Sequence, residues 1–386
     1  MFALYSYRPD RCSVINVPIR CGGRWIYARH PVMDAASGVA SGRSGNGCAI
    51  GEFLERMHFR DDVAIHAAGR LLDINPPELG KKFLDALTQL SGVARRRVEQ
   101  HCFELTRVFE CAVGEWTFAP RALLSLGVST DRAFVPISDS CGSACGRNRN
   151  MARANAMLEF IERQRLVASW LAQKAEVELI VDESEVSLGD GAGLLSMMRR
   201  SGVVRFIEPI GELPGYVVVA IYLSERRGSK ASCVIAASAS LTPASAIQKA
   251  VAELWQGFFW LSIFRHSTPQ SGGELMMQRF LQNNVESGFR VFEPWFCGVT
   301  RERASEYVKR VPLEAGQIME WIRGRSAMRL LRYEARDGGI HYAKFFGPDF
   351  FLHMQTDQGL NVKCGYASAC GLTDLAKLNL QALPFP

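Results

Sequence analysis

Apolar residues recur along the chain with two different spacings, and together these spacings predict a mixed α/β fold. Runs rich in β-branched residues predict strands, and apolar residues three and four positions apart predict helices. The predicted strands are Val203–Phe206, Tyr216–Leu223 and Ser232–Ala237. The predicted helices are Val63–Leu71, Glu78–Leu90, Met151–Gln173, Ala244–Phe264 and Glu274–Asn283. No Pro-, Gly- or Ser-rich linker interrupts this pattern, so we expect one large α/β domain with mixed sheets.

An eight-residue motif occurs twice within the helical parts of this pattern. Ala49–Arg56 and Ala156–Arg163 both have the form A-x-x-E-F-x-E-R, and each copy lies in an apolar stripe of helical period. A third, weaker copy is Ala250–Gln256, in which Gln replaces the second Glu. Solubility alone does not explain this repetition, which indicates that the three helices meet at one site.

The repeated motif brings carboxylates together in pairs. Residues three apart on a helix have Cβ atoms about 5–6 Å apart and share a face. The acidic residues of the three copies are Glu52, Glu55, Glu159, Glu162 and Glu253. Carboxylates this close repel each other unless a cation lies between them, and hard oxygen ligands suit Mg²⁺, which is usually shared with substrate phosphates. A solvated face with Glu–Arg pairs would explain one copy, but two identically framed copies favour a site that binds metal and ATP.

Each full copy of the motif follows a loop rich in Gly and Ser. Ser41–Cys48 precedes the first copy and Ser140–Gly146 precedes the second. Such loops permit close backbone approach and leave N–H groups available near a helix N-terminus, where anions are favoured. A plain turn with a Ser N-cap is the alternative explanation of either loop.

Other common catalytic signatures are missing from the sequence. It contains no G-x-x-x-x-G-K-[ST] P-loop, no H-E-x-x-H metal helix and no G-x-S-x-G nucleophile turn. The glycines of Gly189–Gly193 lack Rossmann spacing, and we expect a loop there that enters a helix running to Met198. Cys141 and Cys145 have no second pair at metal-ligand spacing, so ordinary thiols are favoured over zinc.

Composition and charge narrow the class of protein further. The 386 residues are 48% hydrophobic and carry a formal net charge of +6, which is too mild for a histone-like nucleic-acid-binding protein. The longest apolar run, near Leu254–Phe264, is about half the length of a membrane span, and no signal peptide is recognisable. The 11 scattered Cys residues indicate reduced thiols. We therefore expect a cytoplasmic protein with neither nucleic acid nor a membrane as partner.

With these motifs the sequence resembles the YcaO domain family, from about residue 41 to the C-terminus. It is most similar to the cyclodehydratase subunits of microcin B17-type synthetases. Besides the repeated motif, the segments that carry the resemblance are Ser138–Gly142, Glu159–Arg163, Val251–Gln256, Gly347–Met354 and Pro384–Pro386. The resemblance implies a YcaO-type fold around a central cleft for ATP and Mg²⁺. It also implies a YcaO domain over 41–386 with a Pro-Phe-Pro tail, and an N-terminal segment, 1–40, that packs on this domain.

The activity that the resemblance implies is ATP-dependent cyclodehydration of a ribosomally made precursor peptide in bacteriocin biosynthesis. A Ser, Thr or Cys side chain attacks the preceding backbone carbonyl, the amide oxygen is phosphorylated by ATP, and loss of phosphate leaves an oxazoline or thiazoline. The implied partners are the precursor peptide, a leader-binding E1-like subunit and an FMN-dependent azoline dehydrogenase subunit.

The resemblance also implies roles for individual residues. The expected Mg²⁺ ligands are Glu52, Glu55, Glu159, Glu162 and Glu253, and these residues also belong to the nucleotide site. The nucleotide site is further expected to include Arg56, Arg163, Lys249 and Gln256. Glu159, Glu162 and the terminal carboxylate of Pro386 are the expected catalytic groups, with the carboxylate as a general acid or base.

The sequence departs from the family pattern at three positions. Cys48 lies where many members have Ser, and Arg147 and Met151 lie where many have Asn and an acidic residue. Asn148 or Asn150 is a candidate replacement for that Asn. Two other functions stay open: thioamide or amidine formation by a YcaO enzyme, and a regulatory ATP-binding scaffold without chemistry.

Overall fold

The computed structural model describes residues 13–18, 24–29, 37–40, 45–264 and 291–385, apart from positions 185, 190, 226–228, 230 and 326. Side chains are described from residue 50 onward, without those of 260, 263 and 264.

The three copies of the repeated motif lie on α1 (Gly45–Met57), α5 (Arg149–Ala172) and α7 (Pro243–Phe264). In chain order the α-helices are α1 Gly45–Met57, α2 Leu71–Ile74, α3 Pro77–Ser91, α4 Arg95–Gln100, α5 Arg149–Ala172, α6 Gly191–Arg199, α7 Pro243–Phe264, α8 Glu293–Phe296, α9 Ala304–Tyr307, α10 Ala315–Gly324 and α11 Gly365–Ala369. A π-helical turn, His58–Asp62, continues α1, and short 3₁₀ helices span Arg121–Leu123 and Leu375–Lys377.

The strands form three sheets in the described residues. In chain order they are β1 Ser13–Pro18, β2 Arg24–Arg29, β3 Ser37–Ala40, β4 Ala67–Gly69, β5 Phe103–Glu110, β6 Glu115–Pro120, β7 Ser143–Gly146, β8 Ala175–Ile180, β9 Gly202–Pro209, β10 Tyr216–Ser224, β11 Cys233–Ser240, β12 Thr300–Arg303, β13 Leu331–Asp337 and β14 Ile340–Phe346. The sheet orders are β1-β2-β3, β11-β10-β9-β8-β12 and β4-β5-β13-β14-β7, with β6 paired to β5. The pairing of β8 with β12 is parallel, and the other strand pairs of the described residues are antiparallel.

The five-stranded sheet is covered by helices on both faces. Successive side chains of β10 alternate between the faces because a strand has a period of two. Val217 and Val219 belong to the core that includes α5, and Val218 and Tyr222 belong to the core that includes α6 and α7. This double covering explains why β10 is apolar without interruption.

Helix α5 is the central element of the fold. It contacts β11, β10 and β9 of the five-stranded sheet, and also β7 and β14 of the six-stranded sheet. Every residue from Gln164 to Leu171 is buried, so this half of the helix has no solvent face. The Asn148 side chain caps the N-terminus by accepting a hydrogen bond from the Met151 amide, and Gln173 ends the helix in the left-handed region.

Most of the predicted elements within the described residues are confirmed. The helices predicted near Glu78–Leu90, Met151–Gln173 and Ala244–Phe264 correspond to α3, α5 and α7. The three predicted strands correspond to β9, β10 and β11, and a loop enters α6 as expected.

The prediction of a helix over Val63–Leu71 is wrong. The chain leaves the helical region at Val63, which has extended backbone, and forms β4, which pairs with β5 from Ala67 to Gly69. Thr106 donates a hydrogen bond to the Ala64 carbonyl over 2.7 Å and the His66 amide donates to the Leu105 carbonyl over 2.8 Å. Pairing with a neighbouring strand therefore outweighs the local helical pattern. The predicted helix Glu274–Asn283 lies outside the described residues.

None of the helices in the described part of the chain combines the length and the apolar character needed to cross a membrane.

The second predicted Gly/Ser loop is only partly a loop, because Ser143–Gly146 forms strand β7. Gly142 fixes the turn that leads into this strand. Its φ is 69°, in the left-handed region, and its carbonyl accepts a hydrogen bond from the Phe345 amide over 2.8 Å. A Cβ at this position would lie 2.3 Å from the Phe345 carbonyl oxygen. Only Gly satisfies both constraints.

We expect Gly142→Ala to lower the free energy of unfolding by at least about 2 kcal/mol, because it adds a backbone clash to left-handed strain. The measurement is urea unfolding. Gly371→Ala is the matched control, since Gly371 has a φ of 73° but nothing within 4 Å of the added Cβ. Its cost should be about 1 kcal/mol. Equal losses in the two variants would contradict the contact with Phe345.

Candidate functional site

The three motif helices bring their carboxylates into one cluster. The carboxylate ring is the set of residues that repel one another in the order Glu52, Glu55, Glu159, Glu162, Glu253 and back to Glu52. Helix α1 and helix α5 both pack on β7, which places the two full copies of the motif on either side of this strand. The structure thus gathers the acidic residues that the repeated motif singled out.

The first copy contributes two carboxylates, and each is held by a different partner. Glu52 forms an ion pair with Arg56 one turn along α1. Glu55 accepts a hydrogen bond from the Ser143 hydroxyl over 2.6 Å. Burial, together with repulsion from Glu52, raises the pKa of Glu55 to about 7 despite the Ser143 hydrogen bond.

The second copy contains a partly buried guanidinium, that of Arg163, beside both of its carboxylates. The Nε atom of Arg163 lies 3.3 Å from Glu162 Oε1 and 3.9 Å from Glu159 Oε1. Glu162 Oε2 accepts a hydrogen bond from the Ala239 amide over 3.1 Å, whereas its buried Oε1 has no hydrogen-bond partner. Burial, followed by repulsion from Glu55, raises the pKa of Glu159 well above its ordinary value.

The third copy closes the ring from α7. Burial, followed by repulsion from Glu162, raises the pKa of Glu253 well above its ordinary value, although Arg163 and Lys249 oppose the shift. Lys249 lies one turn before Glu253. Burial raises the pKa of Glu162 as well, and the charge of Lys249 opposes this rise. Gln256 follows Glu253 by three residues on the same helix, which gives the two side chains a shared face.

Burial and mutual repulsion both disfavour ionisation of the carboxylates in the ring. The raised pKa values of Glu55, Glu159 and Glu253 show that each carboxylate is more stable when it is protonated than it would be in water. Burial lowers the pKa of Arg163, but the charges of Glu162, Glu159 and Glu253 outweigh this effect and raise it. A site in this condition would bind further positive charge.

Lys344 is a cation of this site that the sequence analysis missed. It is 3% exposed, and its ammonium group donates a hydrogen bond to the Asp139 carbonyl over 2.6 Å. Its strand partner is Ser143, so both side chains project from one face towards Glu55. Its charge opposes the rise in the pKa of Glu55 and of Glu159. The available signal was a single Lys in the otherwise apolar end of β14.

The segment that precedes β7 shapes the site through Asp139 and Cys141. The Asp139 carboxylate accepts hydrogen bonds from the Cys141 amide over 3.0 Å and from the Met354 amide over 2.9 Å. Burial raises the pKa of the Cys141 thiol well above its ordinary value, and Arg163 and Glu159 both act on it electrostatically. Cys141 is therefore a neutral thiol beside the ring and is not a thiolate nucleophile.

The C-terminal tail is docked on the same site. The Gln381 carbonyl accepts hydrogen bonds from the Trp170 indole, over 2.8 Å, and from the Thr356 hydroxyl. Leu383 is buried, and the ring of Phe385 lies 4.4 Å from the Arg163 guanidinium carbon. This cation–π contact joins the tail to the second copy of the motif. The predicted catalytic residue Pro386 lies outside the described residues.

The positions that depart from the family pattern lie at the start of α5. Arg147 and Met151 are exposed, and the side-chain oxygen of Asn148 is engaged in capping the helix. Asn148 is therefore a structural cap, which weakens the hypothesis that it replaces the family's Asn. In the first loop, positions 41–44 lie outside the described residues and Gly45–Cys48 belong to α1.

The residues of the ring fit Mg²⁺ better than a metal that needs a closed cage. Across the described residues, no three His, Cys, Asp or Glu side chains are gathered closely enough to enclose one ion. Mg²⁺ is usually bound by one or two carboxylates, with water and substrate phosphates as its other ligands. Glu162 Oε1 is a buried oxygen of this kind that makes no hydrogen bond, although it forms an ion pair with Arg163 Nε, 3.3 Å away.

Comparison with known proteins agrees with this geometry. Residues 44–328 match the family model described as YcaO cyclodehydratase, ATP- and Mg²⁺-binding. The chain is 25% identical over 346 residues to the microcin B17-processing protein McbD of Escherichia coli. The aligned region covers 88% of this chain and 86% of McbD.

Two solved structures share the fold. A chain of the E. coli microcin synthetase McbBCD complex with pro-MccB17 bound has a TM-score of 0.83 at 24% identity, covering 99% of this chain and 98% of that one. YcaO from Methanopyrus kandleri, bound with AMPPCP and Mg²⁺, has a TM-score of 0.61 at 17% identity, with coverages of 87% and 85%. The fold class and family predicted from the sequence are confirmed, as are the cofactors ATP and Mg²⁺.

The raised pKa of Glu55 predicts a pH dependence of stability in protein stripped of divalent ions. The pKa rises from 4.5 to about 7 on folding, so between these values the folded state binds more protons and loses stability as pH rises. Glu55→Gln should reduce this dependence and stabilise the chelator-treated protein at pH 8, by on the order of 2 kcal/mol. The measurement is urea unfolding across this range. Glu99→Gln, on the exposed side of α4, should leave the profile unchanged, and equal profiles for Glu55→Gln and wild type would contradict the assignment.

Proposed function

The chain belongs to the YcaO cyclodehydratases, a family of ATP- and Mg²⁺-binding proteins, and we propose that it converts Ser, Thr or Cys residues of a precursor peptide into oxazolines or thiazolines. The observation that carries this proposal is the carboxylate ring with Arg163 between two of its members. No P-loop is needed if carboxylate-held Mg²⁺ and basic side chains bind the triphosphate.

The ring supplies the proposed Mg²⁺ ligands, Glu52, Glu55, Glu159, Glu162 and Glu253. When bound there, Mg²⁺ neutralises charge on the phosphoryl group that ATP transfers. Ser143 and Lys344 hold Glu55 in position from the strand side, and the Ala239 amide does the same for Glu162. The ligands are thus oriented by groups that do not themselves bind the metal.

The basic residues around the ring supply the proposed contacts to the nucleotide. Arg163 is partly buried and is held by Glu159, Glu162 and the Phe385 ring, which suits a guanidinium that contacts phosphate. Arg56, Lys249 and Gln256 are proposed to complete the nucleotide site from α1 and α7.

The proposed reaction activates an amide oxygen that is otherwise a poor leaving group. The Ser, Thr or Cys heteroatom loses its proton as it bonds to the preceding carbonyl carbon, and the γ-phosphoryl of ATP is transferred to the carbonyl oxygen, which releases ADP. The C–O bond then breaks and the amide nitrogen loses its proton, giving the azoline and phosphate. The peptide loses one water for each ring formed. We propose Glu159 and Glu162, with the terminal carboxylate of Pro386, as the catalytic groups.

The proposed partners follow from the relative in the microcin synthetase McbBCD complex, which was solved with pro-MccB17 bound. By analogy this chain would act on a precursor peptide beside an E1-like leader-binding subunit and an FMN-dependent azoline dehydrogenase subunit. The division into an N-terminal segment, 1–40, and a YcaO domain, 41–386, is also a proposal. Packing of α1 on β2 and β3 supports the contact between the two parts. The cytoplasm is the proposed compartment, and the free thiols of Cys102, Cys297 and Cys364 support this proposal.

We expect Glu159→Gln to lower ring formation by at least about 100-fold, because it removes one charge of the ring without changing its shape. The measurement is mass spectrometry of a precursor peptide incubated with Mg-ATP and the partner proteins, counting losses of one water. Glu99→Gln is the control and should retain full activity. Full modification by Glu159→Gln would instead favour the regulatory scaffold, and products containing sulfur or nitrogen from a co-substrate would favour a thioamide- or amidine-forming enzyme.

The role proposed for Pro386 predicts that the end of the chain cannot be extended. Appending one residue moves the terminal carboxylate, and we expect ring formation to be lost while binding of ATP is retained. Ring formation is followed by mass spectrometry and ATP binding by calorimetry. Activity equal to that of the wild type would rule out a catalytic carboxylate at Pro386.

A further inference from the structure

A second polar site lies at the N-terminal end of α5, outside the carboxylate ring. It is an open groove of about 360 Å³ between α5 and the hairpin β13–β14. Its lining includes Trp116, Arg149, Arg153, Glu334, Arg336 and His341. None of these residues has a role in the proposed ATP and Mg²⁺ site, so the groove needs a separate explanation.

Three guanidinium groups share the Glu334 carboxylate, and two of them, those of Arg149 and Arg153, line the groove. Glu334 pairs with Arg149 over 2.5 Å, with Arg332 over 2.7 Å and with Arg153. Arg336, on the same strand, is exposed and has no acidic partner among the described residues. Burial lowers the pKa of Arg332, and repulsion from Arg153 and Arg149 lowers it further. The cluster therefore has an excess of positive charge that an anionic ligand would relieve.

The basic residues also lie where a helix normally avoids them. The first turn of α5 contains no acidic residue, although the positive end of the helix dipole favours carboxylates by about 0.3–1 kcal/mol. Arg149 begins the helix and Arg153 follows one turn later. Local helix stability does not explain this choice of residues, whereas binding of an anion does.

An exposed aromatic ring forms one wall of the groove. Trp116 is 48% exposed, although an indole is usually well covered. It is held by an edge contact with Phe109, at 5.5 Å between ring centroids, and by Arg107, whose guanidinium carbon lies 4.4 Å from its centroid. A fixed, exposed indole beside arginines offers both an apolar and an ionic contact, which suits a peptide that carries acidic residues.

The groove lies within peptide reach of the carboxylate ring. Arg149 and Glu159 are ten residues apart on α5, which corresponds to about 15 Å along the helix axis. An extended peptide advances about 3.3 Å per residue, so roughly five residues would span this distance.

We propose that the groove binds an acidic segment of the peptide substrate and positions the residue to be cyclised at the carboxylate ring. This assignment rests on the proposed function for the identity of the peptide. A single stacking residue and a mild net charge of +6 make a peptide the better match than a nucleic acid, which usually needs a longer basic track.

The test measures binding of a short fluorescein-labelled peptide of alternating Asp and Gly to the full chain by fluorescence anisotropy. The peptide has no Ser, Thr or Cys, so binding is separate from ring formation. The double variant Arg149→Ala with Arg336→Ala should weaken binding roughly tenfold. Arg336→Glu alone should weaken peptide binding to a similar extent. This single variant tests the groove independently if the double variant fails to fold. Binding to wild type should weaken as salt is added.

Three controls make the result specific. A peptide with Asn in place of Asp should bind at least about tenfold more weakly. Arg325→Ala with Lys377→Ala removes two positive charges outside the groove, beside Glu212 and Asp374, and should leave binding unchanged. Glu159→Gln should bind the peptide normally while it fails in ring formation, so the groove and the proposed reaction can fail independently.

Three outcomes would overturn the assignment: equal binding of the Asp and Asn peptides, equal weakening by the control pair of substitutions, and tighter binding of a single-stranded oligonucleotide than of the Asp peptide. The last would assign the groove to nucleic acid.

Discussion

Mutual repulsion among partly buried carboxylates is the constraint on which this structure depends. The carboxylate ring contains Glu residues from three helices. Burial raises the pKa of four of them, Glu55, Glu159, Glu162 and Glu253, and repulsion from other members of the ring adds to the rise for Glu55, Glu159 and Glu253. Apolar packing elsewhere must hold them together, since nothing within the ring does so. The two-sided burial of α5 and the covering of the five-stranded sheet by α7 supply that packing. The fold therefore maintains a local electrostatic repulsion that bound Mg²⁺ would relieve.

The few cations near the ring are fixed by contacts that do not depend on a ligand. Arg163 lies between Glu162 and the ring of Phe385, and Lys344 is bound to the Asp139 carbonyl. One cation belongs to a helix and the other to a strand, so each follows a different element of the fold. The docked tail, with its Gln381 carbonyl bound to Trp170 on α5, makes the end of the chain part of the same assembly. Preorganised charge of this kind needs no rearrangement when a substrate binds.

The sequence could predict the ring because the motif repeats, and repetition is visible without a structure. The long helices α3, α5 and α7 and the strands β9, β10 and β11 were also predictable, because continuous apolar pattern dominates them. Lys344 was not predictable, because its role comes from pairing β14 with β7 across nearly two hundred residues of chain. The helix expected at Val63–Leu71 is absent for the same reason, since β5 draws that segment into a sheet. Asn148 had two possible roles, and only the structure identifies it as the cap of α5.

Helix α5 connects the groove and the carboxylate ring as a single rigid element. The helix is capped at both ends and held between two sheets, so its first turns and its acidic middle keep a fixed separation. A basic first turn beside the groove and a carboxylate pair further along the same helix divide it into two regions of opposite charge. If the first region holds an acidic peptide and the second holds Mg-ATP, the spacing between them selects which residue of the peptide reaches the phosphoryl group. Selection would then follow from the length of one helix and would require no moving part.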